Sequence, residues 1–246
     1  MKARLVLALC AALAVGAVAS TALADHPADG SCSGGLVQPG TYRYYTVTGQ
    51  CDFAGGNVTI TKNLTVAPGA ALNPHAESFA VVHVQGNVKV GKGGILGLGA
   101  YGPPDIQQTG TVVDVNIEAH QPQSLYLSAI TIHGNLSSDG GSGPGLNFPI
   151  KNVIVDGNVE LHFWSGLWIG IVRSTIGGNL IFSNNTGTQV GPTGEPDSSE
   201  VVDNVIGGNL ICKRNEPAAQ FGDSGGGPNT VGGKAVGQCA SPSLVK

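Results

Sequence analysis

Gly-Asn followed by Val or Leu recurs along the chain, in GGNVTI at Asn57, QGNVKV at Asn87, HGNLSS at Asn135, DGNVEL at Asn158, GGNLIF at Asn179 and GGNLIC at Asn209. A degenerate further copy, VGGKAV, has Lys234 in place of the asparagine. Short alternating runs such as AVVHVQ, SAITIH and KNVIVD stand before most copies. Alternation places successive side chains on opposite faces of a strand, so the unit is strand, Gly-Asn corner, strand, with the corner expected to need a residue tolerant of positive φ. The shortest intervals between these asparagines, 21 and 23 residues, suit one turn of a solenoid. Longer intervals are then turns carrying inserted loops.

A chain wound in this way stacks each strand on its equivalent one turn away, about 4.8 Å distant. Inward Val, Ile and Leu merge into one core, and the corner asparagines stack in a ladder of side-chain amides. Asn57, Asn87, Asn135, Asn158, Asn179 and Asn209 are therefore read as structural. The expected fold is all-β, a single-stranded parallel β-helix, right-handed as parallel crossovers usually are.

Lys2 and Arg4 precede an uncharged run rich in Ala, Leu and Val that ends in Ala22-Leu23-Ala24. That is the pattern of a secretory signal peptide spanning residues 1–24, cleaved before Asp25. Cys10 lies too close to Arg4 for a lipoprotein box, leaving Cys32, Cys51, Cys212 and Cys239 in the exported part. An even cysteine count in an oxidising compartment points to disulfides. Four cysteines allow three connectivities; local pairing, Cys32 with Cys51 and Cys212 with Cys239, is the simplest. Such bridges would pin the two ends of the coil, which otherwise expose unpaired strand edges. The division is then residues 25–56 as N-terminal segment and cap, 57–240 as repeats with a C-terminal cap, and 241–246 as a tail.

The chain holds 12 Lys and Arg against 16 Asp and Glu. Loss of the signal peptide leaves 10 basic residues and a formal charge of −6. With no basic run, nucleic acid and anionic membrane surfaces are not expected partners. Neither Cys/His spacing nor a carboxylate cluster implies a metal or cofactor.

The C-terminal stretch VIGGNLICKRNEPAAQFGDSGGGPNTVGGKAVGQC resembles that of exported bacterial β-solenoid proteins of uncharacterised function, which share a GGNL-C unit, GGGPNTVGG and a final GQC. The likeness runs from about Cys32 to Cys239. It implies a secreted solenoid and brings no activity or catalytic residues. A looser likeness to polymer-forming cytoskeletal β-helices rests on the Gly-Asn-Val repeats, and the signal peptide counts against it because those proteins are cytosolic.

Gly222-Asp223-Ser224-Gly225-Gly226 resembles the nucleophile loop of chymotrypsin-like serine proteases. That chemistry needs a histidine base, an aspartate to orient it and backbone donors for the oxyanion. None of His26, His75, His83, His120, His133 and His162 stands in the expected context, and 22 residues follow Ser224. The segment is better read as a glycine-rich loop tip tied down by the last disulfide.

Three long intervals, residues 91–124, 137–149 and 183–200, follow the strand after a Gly-Asn corner and are expected to project from one side as a binding face. They and their borders hold Tyr101, Asp105, Glu118, His120, Tyr126, Asp139, Phe148, Glu195 and Asp197. HFWSGLWIG concentrates both tryptophans, Trp164 and Trp168. Aromatic faces stack on sugar rings, so Trp164, Trp168, Tyr101 and Tyr126 are the candidate binding residues. His133 and Asp156 stand two residues before successive asparagines, which would make them cross-strand neighbours able to hydrogen-bond. β-Helix lyases and glycosidases use clustered carboxylates, whereas Asp156, Glu160, Glu200 and Asp203 are scattered. The expected function is thus a non-enzymatic extracellular or cell-surface protein, structural or adhesive. The alternative is a carbohydrate-active enzyme or glycan-binding module, with cell-wall or extracellular glycan or another protein as partner.

Overall fold

The structure is a computed structural model that describes residues 27–75, 80–100, 108–191, 194, 196–222 and 224–246, with the side chains of 144–146 left out. Residues 1–24, read above as a signal peptide, and Tyr101, Asp105, Glu195 and Asp223 lie outside the described residues.

All strands of the coil pair in parallel, each with its equivalent in the next turn. Each turn has three sides. In the turn that begins at Asn158, strand Val159–Val172 supplies the first and second sides, bending at Phe163, and Thr175–Ile176 supplies the third. The third sides form a nine-stranded sheet, one strand per coil. A tenth coil begins with Ala235–Gly237 and ends in a short 3-10 turn, Gln238–Ala240. The chain is thus a parallel β-helix, as the repeats predict.

Alternation within each strand builds the core. Leu64, Val88, Ile117, Leu136, Val159, Leu180 and Leu210 share one inward register on the first side, and every one is 0% exposed. Each such side chain contributes roughly 1.5–3 kcal/mol by leaving water. The next inward column on that side begins with Cys32, runs through Val47, Val66 and Val90, and reaches Cys212 in the ninth coil, opposite Gly237 of the tenth. Both disulfides therefore start from one column at opposite ends. Cys32 pairs with Cys51, and Cys212 with Cys239.

The asparagine ladder is real but differs in membership. Its rungs are Asn63, Asn87, Asn116, Asn135, Asn158, Asn179 and Asn209. Each backbone N–H donates to the side-chain oxygen of the previous asparagine, for example Asn158 to Asn135 at 2.8 Å and Asn209 to Asn179 at 2.8 Å. Lys234 ends the run by donating its N–H to Asn209 Oδ1 at 2.9 Å. Asn57 is not a rung: it is exposed in strand Gly56–Ile60 of the nine-stranded sheet, opposite Val81. Asn63 and Asn116 were hidden because Asn-Leu and Asn-Ile there lack the preceding glycine.

The role of the corner glycines also differs from expectation. A side chain at Gly157 would place its Cβ 2.5 Å from Asn135 Oδ1, and one at Gly208 would lie 2.7 Å from Asn179 Oδ1. Glycine serves close approach to the coil beneath, and positive φ falls at the other two corners. Between first and second sides it occurs at Gln121, Gly140, Phe163, Asn184 and Arg214; between second and third, at Ala129, Asn152, Arg173 and Asp203.

Two further ladders stiffen those corners. Asn185 and Asn215 stack onto Gln238 between the first and second sides, and Ser174, Asn204 and Asn229 stack between the second and third.

Candidate functional site

Residues 91–124 are not one insertion, since they contain the strands Ile95–Gly99, Val112–Val113 and Ile117–His120. Residues 137–149 lie within strand Leu136–Lys151, which covers two sides with a register shift between Gly143 and Asn147. The described residues of 188–198 stand outside the named strands, between Thr186–Gly187 and Ser199–Val202. Among the described residues the three intervals are therefore not equivalent insertions at one point of the repeat.

Concavity is found instead on the outer surface of the first side. A groove of about 640 Å³ runs across five successive coils there. One wall is the outward column Thr65, Lys89, Glu118, Ser137 and Glu160, which are in direct register. Four coil spacings give it a length of roughly 19 Å. The other wall opens at Ala67 and Gly91, whose small side chains make the trough, and continues through His120, Asp139 and His162. His120 Nδ1 and Asp139 Oδ1 are 2.8 Å apart, and His162 Nδ1 lies 2.6 Å from Ser183 Oγ. Lys89 reaches Glu118 at 4.0 Å, and Glu160 reaches His162 at 3.8 Å. The rim is thus a lattice of positioned donors and acceptors.

Glu118 and Glu160 are two coils apart, about 9.6 Å along the axis, close to the carboxyl separation of inverting glycosidases. Acid and base roles, however, require environments that drive two carboxyls apart. Both of these side chains are 48% exposed, with Lys89 beside Glu118 and His162 beside Glu160.

Around the first corner lies a second cavity of about 430 Å³, lined by Lys92, Gln121, Ser142, Phe163 and Ser165. Phe163 is 61% exposed with φ 58°, an uncommon backbone state for a bulky residue. It follows His162, the last residue of the groove wall, and presents its ring to this second cavity.

The predicted aromatics stand elsewhere. Trp164 is 1% exposed, packs on Phe148 at a centroid distance of 4.2 Å and donates its Nε1–H to Ser138 Oγ at 2.8 Å. Its ring belongs to the core and offers no face to a ligand. Trp168 is buried on the outside of the second side, donating to Glu200 Oε1 at 3.0 Å beneath Lys151. Tyr126 is half-buried opposite Gly97 on that same side. Phe163 was missed because strict alternation from Val159 puts it inward and Trp164 outward. The left-handed residue at the corner reverses the phase.

The predicted His133–Asp156 pair is present, Nδ1 to Oδ2 at 2.7 Å, and His83–Asp114 at 2.9 Å is similar. At the GDSGG segment Arg173, not a histidine, is the partner: its Nη1 donates to the Ser224 carbonyl at 2.9 Å. Among the described residues the hydrogen bonds of His83, His120, His133 and His162 all lead elsewhere. No group of three or more His, Cys, Asp or Glu is arranged as a metal site among the described residues, and no helix among them is long and apolar enough to cross a membrane. Comparison of the chain with protein-family models, with curated proteins and with solved structures finds no match.

Proposed function

We propose that the protein is exported and acts outside the cell as a non-enzymatic, adhesive solenoid that holds an extended polysaccharide strand along its first side. The observation that carries this is the continuous trough from Thr65 to Glu160, with the exposed Phe163 ring in the adjoining cavity around the corner. An elongated groove with an apolar floor and a rim of paired polar groups suits a linear polymer of ring-shaped, hydroxyl-bearing units, which offer both apolar faces and hydrogen-bonding edges. The disulfides and the N-terminal segment support export.

The test is affinity for a panel of soluble cell-wall and extracellular polysaccharides, with a lyase and hydrolase screen alongside. Saturable binding is expected to at least one polysaccharide, with no cleavage. Phe163→Ala should weaken it about tenfold or more while leaving the thermal midpoint in place. Absence of binding across the panel, or undiminished binding by the variant, would sink the proposal. N-terminal sequencing of the protein from the culture medium should begin at Asp25.

A further inference from the structure

Three successive coils of the groove supply one carboxylate each, from alternate walls. Glu118, Ser137 and Glu160 are in register on one wall, and His120, Asp139 and His162 are in register on the other. The coils therefore read Glu118 opposite His120, Ser137 opposite Asp139, and Glu160 opposite His162. Residues two apart on a strand point to the same face, so both members of each couple flank the trough, with Ala119 and Ser138 between them along its floor. The checkerboard stops at Lys89 in the coil before and at Ile181 and Ser183 in the coil after.

The contacts already present leave these carboxylates open to a ligand. His120 Nδ1 meets only Oδ1 of Asp139, at 2.8 Å. Glu160 is 3.8 Å from His162 Nε2, and Lys89 reaches Glu118 at a loose 4.0 Å. The side chains of Glu118, Asp139 and Glu160 are 48%, 63% and 48% exposed. With the histidines counted neutral, three negative charges stand against the single Lys89 at one end. Such a trough draws in a cationic polymer and repels an anionic one.

We propose, resting on the polysaccharide reading of this groove, that its ligand is a flat, 1,4-linked amino-sugar polymer with free amino groups, whose consecutive amines meet Glu118, Asp139 and Glu160 in turn. In a ribbon of that kind each unit is flipped relative to the one before, so equivalent substituents point alternately to the two sides. A sugar unit spans close to one coil spacing, about 4.8 Å. Three units thus present three amines to alternate walls at successive coils, which is the order of the carboxylates. Each amine donates to its carboxylate, and the nearby negative charge favours the protonated amine. Ser137 and the two imidazoles, on the wall facing each carboxylate, are left to bond the sugar hydroxyls.

The secreted protein is titrated at pH 7, low salt, with three oligosaccharides of equal length: a glucosamine oligomer, its fully N-acetylated counterpart and an oligogalacturonate. The glucosamine oligomer should bind about tenfold or more tighter than the acetylated one, with a preference that shrinks as salt is added. The uronate should bind weakest. Glu118→Gln, Asp139→Asn and Glu160→Gln should each weaken the glucosamine oligomer about threefold and leave the acetylated one unchanged. Asp156→Asn, which removes the same charge outside the groove, should alter neither. All these side chains are exposed, so the thermal midpoints should stay in place. Binding of neutral sugars with no preference for the amine, or a preference that survives all three groove variants, would overturn the inference and leave the groove reading standing. Failure of every oligosaccharide and of the wider polysaccharide panel would overturn both.

Discussion

The two ends of the solenoid are held by different means. Around the carboxyl-terminal coils three ladders run in parallel, and the asparagines of two of them, Asn185, Asn204, Asn215 and Asn229, are at most 5% exposed. At the amino-terminal end the ladder starts only at Asn63, in the third coil. The residues in register below it are Tyr44 and Asp29. Cys32–Cys51 joins those two coils, with Asp29 and Arg43 paired at 3.0 Å on the surface. Cys212–Cys239 likewise sits where the first ladder runs out at Lys234. Cys32–Cys51 stands where side-chain amides are missing, whereas Cys212–Cys239 joins two coils that the Asn215–Gln238 amides also tie, so the amino-terminal end depends on its clip more than the carboxyl-terminal end does.

The core of the later coils gives the largest expected effect. Trp164→Ala removes a buried ring, its contact with Phe148 and a hydrogen bond to Ser138, and should cost about 3–5 kcal/mol in denaturant unfolding. Phe163→Ala, one residue away, should change stability by less than about 1 kcal/mol, because its ring is exposed and its backbone strained. Equal losses from the two would mean that the corner phase is wrong.

Next come the clips. Replacing Cys32 and Cys51 by Ser opens a loop of sequence separation 19 and should cost roughly 3 kcal/mol on the chain-entropy account. In a repeat stack, stability is shared between neighbours. Hydrogen exchange should therefore accelerate over residues 30–60 and hold its pace from Asn87 onward. A uniform acceleration along the whole chain would contradict the division between a clipped amino-terminal end and a laddered middle.

The sequence and the structure agree on architecture because a repeat must bury the same positions in every turn. Gly-Asn corners and Val-rich alternation express that demand directly, and both disulfides follow from where the cysteines flank it. What escaped was whatever depends on phase within a turn. Asn63 and Asn116 were invisible to a Gly-Asn pattern, which turned one interval of two coils into an insertion. The groove was illegible because Thr65, Lys89, Glu118, Ser137 and Glu160 share no residue type. Their common register appears only once the coil length of each turn is known. Phe163 and Trp164 exchanged places for the same reason. The recurrence of Gln121, Gly140, Asn184 and Arg214 at the equivalent corner was the available signal, since Gly and Asn favour left-handed backbone.

Buried and half-buried rungs separate more finely. Asn204 accepts from the Ser174 N–H and donates to Ile171 O and Asn229 Oδ1, and is 1% exposed. Asn204→Ala leaves those groups unpaired out of reach of water and should cost about 3 kcal/mol. Asn135→Ala, at an exposed rung, should cost about 1 kcal/mol, since water replaces the lost partner. The ratio, read from urea midpoints of the two variants, tests whether the ladder between second and third sides is stronger than the Gly-Asn ladder.

The smallest effect belongs to the surface pairs. His133 and Asp156 bridge consecutive coils at 2.7 Å, yet their side chains are 51% and 56% exposed. High dielectric and side-chain entropy leave such pairs a worth of about 0.2–1 kcal/mol. A double-mutant cycle of His133→Ala and Asp156→Ala should give a coupling energy in that range, decreasing with added salt. A coupling above about 2 kcal/mol would mean that this corner excludes water as the Asn204 corner does. Surface pairing would then have to be counted among the restraints that tie the middle coils together.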